Sequence, residues 1–568
     1  MVVHPPANFV EIHKGLLQDL LVDKPHFTLQ RVLKPKGDPV VRFVTQLHLK
    51  GLGDWSFPAS FRLNQQGQRW KVDWRPAVIH PSLAPGLHFA RTRVWPERAA
   101  ILAADGTAIT AVRQSVVVGV EPGKVKDRNK LVSALAANTG VDAASITSLI
   151  AQPGRADRFQ PIAELTEARY QQVKPAIYDL PGVTFQRKSG RLPPSQDFAR
   201  QTIGQVGEAT QEILNKLGEP YLKGDQVGLS GIEKGMESTL AGRPSGEVRL
   251  LDAKGVAVST LNRFPGMDAQ AVKTTIDIKA QQASDAALAG ISKPAAIVVL
   301  DSATGDIRAV TSHPSDSFNR AMAGKYPPGS TFKMVTTAAL LQSGVGADTK
   351  VDCPKEASVG GRKFRNFEDE SFGQITFRFA FVQSCNTAFA NLVRPLSPEK
   401  LTDEAKLFGF DAPYDLPVDS FGGSFPDPSD ATEKAAAAIG QAKVEASPMH
   451  MASVAAAVAS GTWHAPRLLA DKPGAEPKPI DPSVIKTLTE FMRAVVTDGT
   501  GKNARVPGMP VAGKTGTAEF GKSNPPQTHA WFVGFRGRWS FAVLVVGGGG
   551  ARDVAAPLAA KLLIGLGQ

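Results

Sequence analysis

The chain has 568 residues, 42% of them hydrophobic and 21% charged, and its 65 Lys and Arg outnumber 53 Asp and Glu to give a formal charge of +12. This is ordinary globular composition at a length that predicts three or four domains, which excludes a disordered or fibrous chain. The basic excess suits an anionic membrane or wall surface as well as a merely solvated exterior, but no basic cluster interleaved with aromatics points to nucleic acid, and no run approaches the ~20 apolar residues that span a bilayer.

In chain order, Phe9 to Leu21 has helical periodicity, and Val40 to Leu49 and Ser56 to Leu63 alternate as strands do. Asn64-Gln65-Gln66-Gly67 makes a hairpin turn into Trp70-Lys71-Val72-Asp73-Trp74. One helix followed by antiparallel strands predicts a small cone-shaped α+β module with its tryptophans in the core. Further on, Ala295 to Leu300 is an unbroken apolar run expected as a buried strand. Asp301 to Asp306 is a turn cluster, and Ile307 to Thr311 is its hairpin partner. Near the C-terminus, a strand carrying Lys514 is followed by strands at Trp531 to Phe535 and Trp539 to Val546, then a closing helix from Val554 to Leu566. Strands at both ends of a domain with helices between them predict an α/β sandwich around an antiparallel sheet.

Three stretches in this last part carry chemistry: Ser330-Thr331-Phe332-Lys333, Ser384-Cys385-Asn386 and Lys514-Thr515-Gly516-Thr517. A serine hydroxyl is a poor nucleophile without a base in hydrogen-bond reach and a place for the negative charge it creates. Pro327-Pro328-Gly329 stops a helix from running backward, and apolar residues recur at helical spacing from Phe332 to Leu341. Ser330 is therefore expected at a helix N-terminus, one turn before Lys333 and on the same face, with free N–H groups near a developing oxyanion. Ser-x-x-Lys alone is uninformative, since Ser397 to Lys400 and Ser483 to Lys486 also fit it, and Lys188-Ser189-Gly190 mimics the third stretch. Order and local context separate the three boxes from these decoys.

Tyr326 to Lys333, Ser384 to Phe389, Lys514 to Glu519 and His529-Ala530-Trp531-Phe532-Val533-Gly534-Phe535 resemble the signature segments of the penicillin-binding transpeptidases, from about residue 290 to the C-terminus. The resemblance implies an enzyme that cross-links peptidoglycan by cleaving a D-Ala-D-Ala stem peptide and passing the acyl group to an amine, and that β-lactams acylate. It implies Ser330 as the acylated nucleophile, Lys333 as its base, and Ser384 as a proton shuttle to the leaving group. Asn386 would hold Lys333 and the substrate amide. Lys514 would add positive potential, and Thr515, Gly516 and Thr517 would bind substrate, the two hydroxyls receiving its carboxylate. The Ser330 and Thr517 N–H groups would form the oxyanion hole. His529 is expected near the site rim, outside any triad.

Gly51-Leu52-Gly53-Asp54-Trp55 and Trp70 to Pro81 resemble the NTF2-like domain of some class B penicillin-binding proteins, including the methicillin-resistance type, with a spacer or docking role. Gly228 to Glu233 and Leu240 to Gly246 resemble the dimerisation or pedestal region of class B enzymes, whose arginine-rich opening is only partly present at Arg98 to Gly106. The expected organisation is multidomain α+β: an NTF2-like domain at 1–86, a pedestal at 87–288 and a transpeptidase domain at 289–568. No signature of a class A glycosyltransferase domain is visible, so a polytopic membrane glycosyltransferase is the implied partner, through the pedestal. Since the substrate lies outside the cell, the chain is expected at the extracytoplasmic face of the membrane, held by a single N-terminal anchor preceding Met1. No metal-ligand spacing or nucleotide motif predicts a cofactor. Cys353 and Cys385 are the only cysteines; an extracytoplasmic setting permits a disulfide, and two buried thiols remain the alternative. A catalytically silent penicillin-binding scaffold or a β-lactam sensor is the competing reading of function.

Overall fold

The computed structural model describes the chain except residues 1, 4, 8, 35–36, 152–157, 196, 316–317, 522, 524–525 and 568. The backbone gathers into two compact units, one of Met1–Ala99, Gln205–Leu229 and Glu233–Val272, the other of Ala100–Gly204, Ser230–Ile232 and Lys273–Gln568.

In the first unit, helix Phe9–Leu20 accompanies a five-stranded sheet in the order Val2–Val3, Arg69–Asp73, Gly53–Gln66, Val40–Leu49, His26–Leu33. Strand Val40–Leu49 buries Phe43, Thr45, Leu47 and Leu49 on one face, the period of two that the sequence displays. His26–Leu33 was not expected. A register irregularity between Leu29 and Arg31 breaks its alternation, and the edge position leaves it almost wholly exposed. The core continues from Leu47, Trp55 and Phe57 to Phe89, Val248 and Leu250 of a second sheet, ordered Ala257–Phe264, Ser245–Leu251, His88–Val94. Trp55 belongs to that core at 4% exposure, whereas Trp70 is 49% exposed on its strand. The partial arginine motif has a clear role here. Arg98 reaches Glu233 Oε2 and Glu237 Oε2, both at 2.7 Å, and Glu237 also accepts from the Gly228 N–H at 2.7 Å. Buried carboxylates are tolerable only with such partners.

The second unit contains a three-stranded sheet, Val183–Leu192, Ala111–Val120 and Gln160–Thr166, whose Val116, Val118 and Val120 pack on Leu131, Leu135 and Ile146 of two helices. Its larger sheet runs Ile307–His313, Ala295–Asp301, Trp539–Val545, Gln527–Arg536, Ala512–Phe520, antiparallel throughout. Every residue of Ala295–Asp301 is buried because the sheet is covered on both faces. Ile297, Val299, Phe532, Phe541 and Val543 face helices Ile278–Leu288 and Ala555–Leu566, and helix Pro448–Ser460 also packs against these strands. The Lys514 strand closes one edge of this sheet beside helix Pro482–Thr497 and the turn Gly329–Phe332 that leads into helix Lys333–Gln342.

Candidate active site

Ser330 does not begin an α-helix. Gly329–Phe332 form a 3-10 turn that passes into the α-helix at Lys333. Residues i and i+3 eclipse in such a turn, so Ser330 and Lys333 share a face as expected, through tighter geometry. Two glycines permit the site's compactness. A Cβ on Gly329, whose φ is +53°, would lie 2.9 Å from Ala518 Cβ, and one on Gly516 would lie 2.8 Å from Thr331 Cγ2 and 2.9 Å from Pro328 O. The turn and the Lys514 strand thus meet backbone to backbone. The indole N–H of Trp531 donates to Pro327 O at 3.1 Å and holds the turn from the next strand.

The second box is fixed from three sides. Cys385 caps helix Asn386–Leu392, its Sγ accepting from the Ala388 N–H at 3.3 Å, and a disulfide joins it to Cys353 on strand Lys350–Cys353. The amide of Asn386 is oriented at both ends: Oδ1 accepts from Lys333 Nζ at 2.7 Å, and Nδ2 donates to Arg365 O at 2.9 Å. Ser384 sits between them in a left-handed conformation, φ +61°. A non-glycine residue there is strained, which is common where a side chain must be aimed at a site.

Both lysines converge on Ser384. Lys333 Nζ donates to Ser384 O at 2.7 Å and lies 3.4 Å from Ser384 Oγ; Lys514 Nζ donates to Ser384 Oγ at 2.8 Å and to Thr515 O at 3.1 Å. Each lysine is 0% exposed, and neither has a carboxylate among its hydrogen-bond partners. Desolvation, reinforced by the charge of Lys514, holds the Lys333 amine far below the usual lysine range. Desolvation and then the Arg552 charge bring Lys514 down to about 7. A neutral Lys333 has two N–H groups, matched by two strong acceptors, and a lone pair left to take a hydroxyl proton. In this arrangement the Ser330 hydroxyl is 3.5 Å from Asn386 Oδ1, and no Ser330–Lys333 hydrogen bond is formed. The two side chains are linked through Asn386.

A cavity of about 860 Å³ opens over these groups, lined by Ser330, Ser384, Asn386, Thr515 and Thr517. Lys333 and Lys514 lie behind it. Gly516 does not line it, because its Cα is pressed against Thr331, so its contribution is close packing of the strand. Thr517 Oγ1 accepts from the Ala551 N–H at 3.3 Å. His529 is 4% exposed, stacked on Phe520 at 3.9 Å, and burial lowers it to about 4. Two wall residues escaped the sequence reading. The Thr500 hydroxyl is 2.5 Å from the Thr515 hydroxyl, and Arg552 pairs with Glu370 at 3.2 Å on the cavity wall. The signal for Thr500 was its place between Gly499 and Gly501, where a Cβ on Gly499 would strike Val382 O at 2.4 Å. Arg552 follows a glycine run and offers no pattern of its own.

Three family models match the chain: the penicillin binding protein transpeptidase domain over residues 295–563, the penicillin-binding protein dimerisation domain over 93–274, and the NTF2-like N-terminal transpeptidase domain over 6–86. The chain is similar to the peptidoglycan D,D-transpeptidase MrdA of Acinetobacter baumannii, 28% identical over 66% of this chain and 64% of that protein. It is 32% identical to the peptidoglycan D,D-transpeptidase PbpA of Mycolicibacterium smegmatis over 50% of this chain and 70% of the relative. Penicillin-binding protein 3 of Bacillus subtilis is 26% identical over 82% of this chain and 75% of its own length. The chain therefore spans just under two thirds of the first of these relatives and somewhat more of the other two. Among solved structures, a chain from "Structural coordination of polymerization and crosslinking by a peptidoglycan synthase complex" shares the fold, with a TM-score of 0.63 and 24% identity over 84% of this chain and 92% of that one.

Proposed function

The chain belongs to the penicillin-binding protein transpeptidase family, and from that premise we propose that it is a serine-type peptidoglycan D,D-transpeptidase of class B. The observation that carries the proposal is the pair of carboxylate-free buried lysines meeting on Ser384, beside Ser330 and Asn386, at the wall of one cavity. Lysines depressed in this way are suited to proton transfer near neutral pH.

In the proposed reaction, Ser330 Oγ attacks the carbonyl carbon of the penultimate D-Ala and its proton passes to the neutral Lys333 amine. The carbonyl oxygen gains the electron pair and is held by the N–H groups of Ser330 and Thr517, each such donor being worth about 3 kcal/mol. Collapse breaks the C–N bond, and the departing D-Ala amine takes a proton through Ser384. An acceptor amine then attacks the ester carbon, the C–Oγ bond breaks, and the Ser330 hydroxyl is restored. Lys514 adds positive potential from behind the cavity, the Thr515 and Thr517 hydroxyls receive the substrate carboxylate, and a β-lactam enters by the same first step. The same reading assigns 1–86 to an NTF2-like domain, 87–288 to a pedestal and 289–568 to the transpeptidase, working at the extracytoplasmic membrane face with a membrane glycosyltransferase as partner. Among the described residues, no helix is long and apolar enough to cross a membrane.

The test is intact-protein mass spectrometry after incubation with a fluorescent penicillin. The expected result is one adduct per chain that is lost in Ser330→Ala. An adduct that persists in Ser330→Ala, or none at high drug concentration and long times, overturns the assignment.

A further inference from the structure

A second cavity, of about 520 Å³, lies inside the first unit between helix Phe9–Leu20 and the five-stranded sheet, far in sequence from the serine site. Its wall is almost wholly aromatic and aliphatic, with Phe43, Leu47 and Phe61 among its lining residues. Besides His13, whose Nδ1 lies 2.7 Å from Phe9 O, two polar side chains of that wall have atoms without a partner. Thr45, 4% exposed, sits between Phe43 and Leu47 on the inward face of its strand, and its hydroxyl has no hydrogen-bond partner. The Trp74 indole N–H is buried and likewise unpartnered, in a ring packed against Phe9 at 5.5 Å. At the mouth, edge-strand residues Phe27 and Leu29 line the cavity while remaining 58% and 64% exposed.

Ordinary core packing accounts for none of these features. Interiors fill to crystal-like density, and an empty apolar void is destabilising in proportion to its volume. A buried N–H and a buried hydroxyl without partners lose their hydration with nothing in return. Exposed Phe and Leu on a free sheet edge are usually removed or covered. One occupant resolves all three: an apolar body that fills the void and covers Phe27 and Leu29, carrying hydrogen-bond acceptors for the Trp74 N–H and the Thr45 hydroxyl. The volume falls within the roughly 300–1,000 Å³ of small-molecule pockets.

We propose that this cavity is a binding site for a small, largely apolar molecule whose hydrogen-bond acceptors are held by Trp74 and Thr45. It is independent of the transpeptidase assignment, since no residue of it belongs to the serine site. The experiment titrates the full chain with 1-N-phenylnaphthylamine, an uncharged apolar fluorophore, and competes it with 1-decanol. Wild type should take up the probe saturably, one per chain. Thr45→Phe, which fills the cavity, should lose at least tenfold in affinity with an unchanged near-ultraviolet circular dichroism spectrum and unchanged penicillin acylation. Should Thr45→Phe fail to fold, Leu17→Phe on the helix wall makes the same comparison. Trp74→Phe keeps the ring and removes the donor, so 1-decanol should compete three- to tenfold less well while the probe's own affinity stays within threefold. Absence of saturable uptake, uptake undiminished in the folded cavity-filling variant, or 1-decanol competition unchanged in Trp74→Phe overturns the proposal.

Discussion

Replacement of Ser384 by glycine separates the demands of catalysis from those of folding at a single position. Its φ of +61° is a conformation in which an L-residue costs about 1–2 kcal/mol and glycine almost nothing, although glycine forfeits roughly 0.5–1 kcal/mol of unfolded-state entropy. The Ser384 carbonyl still accepts from Lys333 in the variant, and only the hydroxyl contacts, 2.8 Å to Lys514 and 3.4 Å to Lys333, disappear. The two backbone effects nearly offset, so stability in a thermal or urea titration should change by no more than about 1 kcal/mol. Acylation should behave differently. Loss of one hydrogen bond to a charged group is worth about 1.5–3 kcal/mol, or roughly 10- to 150-fold in rate, and loss of a proton-relay group about 10²- to 10⁴-fold. The second-order acylation constant with a fluorescent penicillin, followed by stopped flow or timed gel readout, should therefore fall at least tenfold in a protein of unimpaired stability. A constant within about threefold of wild type would refute the role given to Ser384.

The pH dependence of acylation should be bell-shaped. It should rise as Lys333 loses its proton, far below the usual lysine range, and fall through about 7 as Lys514 loses its charge, and Lys514→Arg should remove the falling limb. For stability the sign is set by proton binding. Between about 7 and the free-lysine value the unfolded chain binds more protons than the folded one, so stability should increase with pH across that window, by an amount that denaturant titrations show to shrink in Lys514→Met. Opening the Cys353–Cys385 link, which spans a sequence separation of 32, should cost roughly 3–4 kcal/mol by loop-closure entropy, and Cys385→Ala should show it as a lower denaturation midpoint together with slower acylation. Arg98→Ala removes the guanidinium that pairs with both Glu233 and Glu237, at 2% and 6% exposure, and should destabilise by about 3–5 kcal/mol in denaturant titrations, an effect that Arg98→Lys recovers only in part.

Much of this was legible from residue order. The apolar run Ala295 to Leu300 appears as the buried strand Ala295–Asp301, and the helix expected at Val554 to Leu566 spans Ala555–Leu566, because period and length are local properties. Strand Val40–Leu49 has its expected bounds for the same reason. His26–Leu33 escaped notice because a bulge interrupts its period. Trp74 was expected in a core and lines a cavity instead, since a hydrophobic pattern tells that a side chain is covered and not whether the covering is complete.

At the serine site the sequence by itself determined the chemistry: a hydroxyl, two amines and an amide carried by three short boxes, each with the turn or helix signals that place it locally. Tertiary structure alone decided what those groups are to one another. Ser330, Ser384 and Lys514 are separated by more than fifty and more than a hundred residues, and their meeting depends on the Lys514 strand closing the sheet edge against the turn at Gly329. The protonation of both lysines depends on the same closure. An amine's charge state is set by how much water it loses and which charges face it, and those are properties of the packed interior that no stretch of sequence carries alone.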